Sequence, residues 1–165
     1  MRLFTSTFTA SEGADEGALI GTLVRALLEG VPQDDLLATI ALENDTPIGC
    51  ILFTPLHYAD DPRKVALLSP AAVAPDHQRH GIGQALISHG LDHLKAQGFT
   101  AVLTYGDPDY YGKTGFAPIS QATAPAPYPL SMPHGWLGQS LTTQPLKRIK
   151  GPATCVAPFA TPDLW

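Results

Sequence analysis

Long apolar runs are missing: no stretch of about 18 hydrophobic residues occurs, so no membrane-spanning helix is expected. The opening Met1-Arg2-Leu3-Phe4-Thr5 lacks the apolar core of a signal peptide, and a cytoplasmic location is the expectation. Cysteine is scarce. Cys50 and Cys155 stand far apart without CxxC spacing, which leaves no basis for a zinc or redox motif and suggests two small buried hydrophobes. Positive charge is also limited. Ten Lys and Arg against 15 Asp and Glu give a formal charge of −5, which argues against a general nucleic-acid binder, since phosphate contacts need clustered cations. The one basic cluster, Lys147-Arg148-Lys150, is weighed as a phosphate patch and read instead as a solvated turn. Acidic residues gather ahead of Ala117, a mild preference for a cationic substrate.

What is present describes a globular chain. At 44% hydrophobic and 15% charged, 165 residues can bury one core without metal or disulfide staples. A single domain over 1–165 is expected. The proline-rich segment 118–165 belongs to it, because Trp136-Leu137 and Thr154–Phe159 are too short to build a core of their own.

Residues 1–9 alternate loosely and suit an edge strand, and Ser11 to Glu16 then opens a helix ended by Gly30. Leu36–Leu42 and Ile48–Leu56 flank Glu43-Asn44-Asp45-Thr46-Pro47, a hairpin signal. A polar connection, Tyr58–Lys64, leads to the run Val65–Val73, which Pro70 and Pro75 should make irregular. A helix follows from Ile82 and is capped by Gly98; Ala101–Tyr105 is a strand, and Asp107–Lys113 a short helix or turn.

The strand, glycine-bearing loop and helix around Gln78–Gly83 form an anion-binding arrangement. First-turn N–H groups lack intrahelical partners, and the positive end of the helix dipole lies there. Gly81 and Gly83 are expected to let a phosphate approach the backbone, and Arg79 adds a charge. A nucleotide, a dinucleotide or coenzyme A could lie on such a loop. No Gly-Lys-Ser/Thr occurs, which excludes a P-loop; Gly81-Ile82-Gly83-Gln84-Ala85-Leu86 has Leu where a dinucleotide fingerprint needs its last Gly.

Val73-Ala74-Pro75-Asp76-His77-Gln78-Arg79-His80-Gly81-Ile82-Gly83-Gln84-Ala85-Leu86 resembles the V-x-P-x-x-Q-x-x-G-[IL]-[GA]-x-x-L signature of GNAT (Gcn5-related) N-acetyltransferases. Tyr110-Tyr111-Gly112-Lys113-Thr114-Gly115-Phe116 resembles that family's aromatic-Tyr-x-x-x-Gly-Phe motif. Leu68-Ser69-Pro70, Gly106-Asp107-Pro108 and Gly151–Phe159 look like its YhbS-like branch. The resemblance implies an α/β fold with a mixed, partly split sheet of about six or seven strands flanked by helices. It also implies acetyl transfer from acetyl-coenzyme A to an amine by direct attack in a ternary complex.

Carried over residue by residue, the resemblance places backbone groups of Ala71, Ala72 and Val73 on the pantetheine arm. The pyrophosphate falls on the N–H groups of Arg79, His80, Gly81, Ile82, Gly83 and Gln84, with Gln78 bracing the loop and Ala85 allowing close approach. Tyr111 matches the tyrosine that often protonates the departing thiolate; packing against the helix is its bland alternative, and Tyr110 is read as core. Thr104 stands where many relatives have Asn. The general base is open among His57, Asp60, Asp61, Ser69 and Asp107, with Asp107 preferred for its closeness to Tyr111 in sequence. His89 and His93 lie four apart, but neither HExxH nor a third ligand accompanies them, and no metal is expected. The acceptor amine is unspecified, and a homodimer is allowed. The alternatives are a non-catalytic acyl-CoA-binding sensor and a transferase for a longer acyl-CoA.

Overall fold

A computed structural model describes all residues from Met1 to Trp165. Its first thirty residues are two helices, α1 (Arg2–Glu12) and α2 (Ala14–Gly30), so the expected edge strand over 1–9 is corrected. Thr5, Ser6, Thr7 and Thr9 are weak helix formers, which made the segment look extended. Tertiary packing overrides that preference. Phe4 and Thr7, three apart, are buried on one helical face. Gly17 and Gly21 of α2 let the helices close, because a Cβ on Gly17 would sit 2.8 Å from the Thr5 carbonyl oxygen and one on Gly21 would overlap the Thr5 hydroxyl.

The sheet follows the hydrophobic pattern. β1 (Leu37–Glu43) and β2 (Thr46–Tyr58) form the expected hairpin. Its turn holds Asn44 and Asp45 in the left-handed region, at φ 46° and 62°, the geometry that matches strand twist and that these residue types tolerate best. β3 spans Asp61–Val73 and so begins inside the segment expected as a connection, where Asp61 and Arg63 form an ion pair. Then come α3 (Ile82–Ala96), β4 (Ala101–Tyr105), α4 (Pro108–Tyr111), β5 (Ala117–Pro118), β6 (Trp136–Ser140) and β7 (Ala153–Cys155). The strand order is β1-β2-β3-β4-β6-β5, with β7 on the far end of β2. Only β3 and β4 run parallel, so the seven-stranded sheet is mixed as expected.

Alternation assigns each face its own core. Cys50, Leu52, Leu67 and Leu103 pack toward Val24 and Leu27 of α2, while Ile51, Phe53, Leu68 and Val102 pack toward Ile87 and Leu94 of α3. Trp136, Ile149, Phe159 and Trp165 join the first of these clusters, so the proline-rich segment completes that core. α3 ends as its sequence predicts. Gly98 takes φ 83°, Phe99 N–H donates to Leu94 O and Gly98 N–H to Lys95 O, which is a Schellman cap.

Candidate active site

β3 and β4 pair from Val65↔Ala101 to Leu68↔Thr104, and then they part. Beyond Leu68, β3 continues for five residues with only β2 beside it, so one edge of Ser69–Val73 is free. The register against β2 slips by one residue there, with Phe53 opposite Leu68 but Ile51 opposite Ala71. Ser69 and Pro70 fill this bulge, and Pro70 has no N–H to donate.

Strand geometry fixes which groups face the opening. Ala74 N–H donates to Ile48 O at 2.8 Å, and by antiparallel alternation Ala72 also bonds to β2. The backbone groups of Ala71 and Val73 therefore point to the free edge. Those of Ala72 do not, which corrects one of the three sequence assignments. The Val73 carbonyl confirms the direction, since it accepts from Gln78 Nε2 at 3.0 Å and Thr7 Oγ1 at 3.4 Å.

The loop after β3 presents a row of free donors. No protein group accepts from any backbone N–H between Arg79 and Gln84; the first intrahelical bond of α3 is Ala85 N–H to Gly81 O at 3.0 Å. Arg79 has φ 64° and Gly81 φ 81°, so the chain turns into α3 through two left-handed residues. At Gly81 this is what glycine is for. At Arg79 the same conformation is strained for a bulky residue, which marks a loop held for a purpose beyond folding. His77 ties the loop to the β1–β2 hairpin through Nε2 to Glu43 Oε2 at 3.1 Å.

Free edge and loop share one cleft of about 740 Å³. Of the residues assigned from sequence, Ala71, Ala72, Val73, Gln78, Arg79, Gly81, Ile82, Gly83, Gln84, Asp107 and Tyr111 line it, whereas His80 and Ala85 do not. Both are exposed, His80 in the turn before α3 and Ala85 on α3 itself. A Cβ at Gly83 would fall on the Tyr110 hydroxyl, a second demand for glycine at this position. Tyr110, expected in the core, lines the cleft half-buried. The N-terminal helix adds Thr7, Phe8, Ser11 and Glu12, which sequence reasoning missed because it made this segment a strand at the sheet's margin.

The candidate bases separate by topology. Ser69 and Asp107 reach the cleft, while His57 and Asp61 line a second cavity at the opposite end of β2 and β3 and Asp60 lies beside them in the β2–β3 turn. Two hydrogen bonds from the Arg63 guanidinium hold the Asp61 carboxyl well below the usual carboxylate range. Asp107 has a structural duty as well, since its Oδ1 accepts from Asp109 N–H at 2.9 Å and caps α4. Tyr111 packs edge-on against Phe116 at 5.8 Å, and burial pushes its phenol up to about 12, opposed by the nearby Thr104 hydroxyl. Thr104 Oγ1 donates to Leu68 O at 2.9 Å, where β3 and β4 part. Neither cysteine lines the cleft, and burial raises both thiols, that of Cys50 to about 11.

Residues 3–116, from α1 to the Gly115-Phe116 end of the tyrosine motif, match the model of the acetyltransferase (GNAT) family. The chain belongs to the GNAT acetyltransferase family. A curated relative, the uncharacterised N-acetyltransferase YjhQ of Escherichia coli K12, is 35% identical over 141 residues, covering 82% of this chain and 77% of that protein. The crystal structure of the GNAT protein YhbS from Escherichia coli, in complex with CoA, superposes with a TM-score of 0.77 at 22% identity over 95% of this chain and 84% of that one. A GNAT acetyltransferase from Brucella melitensis in complex with acetyl-CoA gives 0.67 at 23% identity over 96% and 88%. At these identities the two structures attest the GNAT fold. The family model's reach to residue 3 agrees with α1 forming a wall of the cleft.

Proposed function

We propose that this chain transfers an acetyl group from acetyl-coenzyme A to a primary amine. The observation that carries the proposal is the meeting of two sets of backbone groups in one cleft, the unpaired Arg79–Gln84 N–H row and the free strand edge formed by Ala71 and the Val73 N–H. A row of N–H groups at the start of a 15-residue helix suits a pyrophosphate. A free strand edge suits an extended arm carrying amides, which pairs with it as another strand would. The structures of YhbS with CoA and of the Brucella melitensis protein with acetyl-CoA support the same ligand.

Acetyl-coenzyme A supplies a thioester, whose C–S bond breaks as the amine nitrogen bonds to its carbonyl carbon. The chain's own groups then have defined tasks. Val73 N–H faces the cleft and can stabilise charge on the carbonyl oxygen. Tyr111 keeps its proton at neutral pH, burial having raised it to about 12, and donates it to the thiolate. Asp107, with one oxygen committed to the cap, offers the other to the attacking amine's proton. Glu12 and Asp107 supply carboxylates suited to an amine, while Arg79 and Lys113 supply cations suited to phosphate.

The test is incubation of the chain and acetyl-CoA with a panel of amines spanning polyamines, amino sugars, lysine peptides and N-terminal peptides, with free thiol as the readout. Amine-dependent thiol release supports transfer. Tight acetyl-CoA binding without release for any amine would instead support an acyl-CoA sensor.

A further inference from the structure

We infer that the Tyr110 hydroxyl is a ligand of the bound pyrophosphate, completing the N–H row at the start of α3; this rests on the coenzyme A site proposed above. Tyr110 stands on α4, and its hydroxyl lies where a side chain at Gly83 would begin. Gly83 is the second residue of α3. Helical Cα–Cβ bonds tilt toward the N-terminus, so a group at that place overhangs the first turn, where the free N–H groups are. The ring carbon Cζ lies 3.3 Å from the same point, so the phenol approaches by its oxygen. No side-chain hydrogen bond of the chain involves Tyr110, whereas the Thr114 hydroxyl nearby donates to Tyr111 O at 2.9 Å. The free hydroxyl of this half-buried residue, beside a row of free N–H groups, is a further donor aimed at the same anion.

The ring itself is held firmly. Tyr110 meets Tyr111 edge-on at a centroid distance of 5.1 Å and packs against the α3-side core. Gly83 thus has a further reason besides room for a phosphate, since it makes room for the Tyr110 hydroxyl. The adjacent tyrosines divide the work, with Tyr110 at the phosphate end and Tyr111 where β3 and β4 part.

The experiment is calorimetry of Tyr110→Phe and wild type with coenzyme A, dephospho-coenzyme A and pantetheine. Loss of one hydrogen bond to a charged group should weaken both pyrophosphate-bearing ligands by about 10-fold or more and leave pantetheine unchanged. Unchanged coenzyme A affinity, or an equal loss for pantetheine, overturns the inference. Failure of wild type to bind coenzyme A would overturn the site itself, a separate outcome. Gly83→Ala supplies a second reading, because its methyl displaces the hydroxyl. It should weaken coenzyme A in wild type and add little in a Tyr110→Phe background, whereas fully additive losses contradict the assignment.

Discussion

Gln78 Nε2 donates to the Val73 carbonyl at 3.0 Å, so the side chain that opens the anion loop is fastened to the last residue of the strand feeding it. The bond spans five residues of chain and crosses the turn Pro75–His77. Gln78→Ala removes it. One neutral hydrogen bond has a net worth of about 0.5–1.5 kcal/mol, and coenzyme A affinity should therefore fall about 2- to 10-fold by calorimetry. Unaltered affinity would mean that the loop holds its shape without this tie.

Arg79 carries a conformational cost in the free protein. A non-glycine residue in the left-handed region costs roughly 1–2 kcal/mol, and glycine's extra chain entropy returns about 0.5–1 of that. Arg79→Gly should raise the melting temperature slightly while weakening coenzyme A binding and flattening its salt dependence, since a cation leaves the site. A lower melting temperature with unchanged affinity would show that Arg79 serves folding rather than the ligand.

Alkaline stability follows from the buried phenols. Tyr58 donates to Pro125 O at 2.9 Å, and burial raises it, as it raises Tyr111 to about 12. Each is raised above its unfolded value of about 10, so the stability it contributes is complete below pH 10 and is lost as pH rises through the folded value. The Cys50 and Cys155 thiols are also raised by burial above their unfolded value of about 8.5, so denaturant midpoints should begin to fall near pH 8.5 and fall more steeply beyond pH 10, where Tyr58→Phe should reduce the fall. A fall beyond pH 10 that Tyr58→Phe leaves unchanged would show that the phenol is not its cause.

Tyr111→Phe separates chemistry from binding. The ring contacts with Phe116 and Tyr110 remain. Only the hydroxyl is removed, so kcat should drop by about 10² to 10⁴ while acetyl-CoA affinity changes little. In wild type no falling limb due to Tyr111 should appear below pH 10. An undiminished rate in the variant would leave Tyr111 as a packing residue and solvent as the proton source.

Periodicity made most of the sheet and α3 legible, because each strand faces two cores and alternation records that directly. Ile51 and Phe53 go one way, Cys50 and Leu52 the other. The turn into α3 was legible through Gly81 and the motif around it. Two things were hidden. The Thr-rich composition of residues 5–9 concealed α1, whose stability comes from contacts with Gly17 and Gly21 that lie in another helix. The contact of Tyr110 with Gly83 joins positions 27 residues apart, and no local pattern encodes it. The strand ends holding His57, Asp60 and Asp61 were also expected near the cleft, but the 13-residue β3 runs between them and it.

The most direct measurement is the backbone amide spectrum of the isotopically labelled chain during titration with coenzyme A. Saturable shifts are expected at Arg79 to Gln84 and at Ala71 and Val73, and none around His57 and Asp61. Shifts confined to the His57 and Asp61 end, or no shifts at all at millimolar ligand, would contradict a coenzyme A site in this cleft.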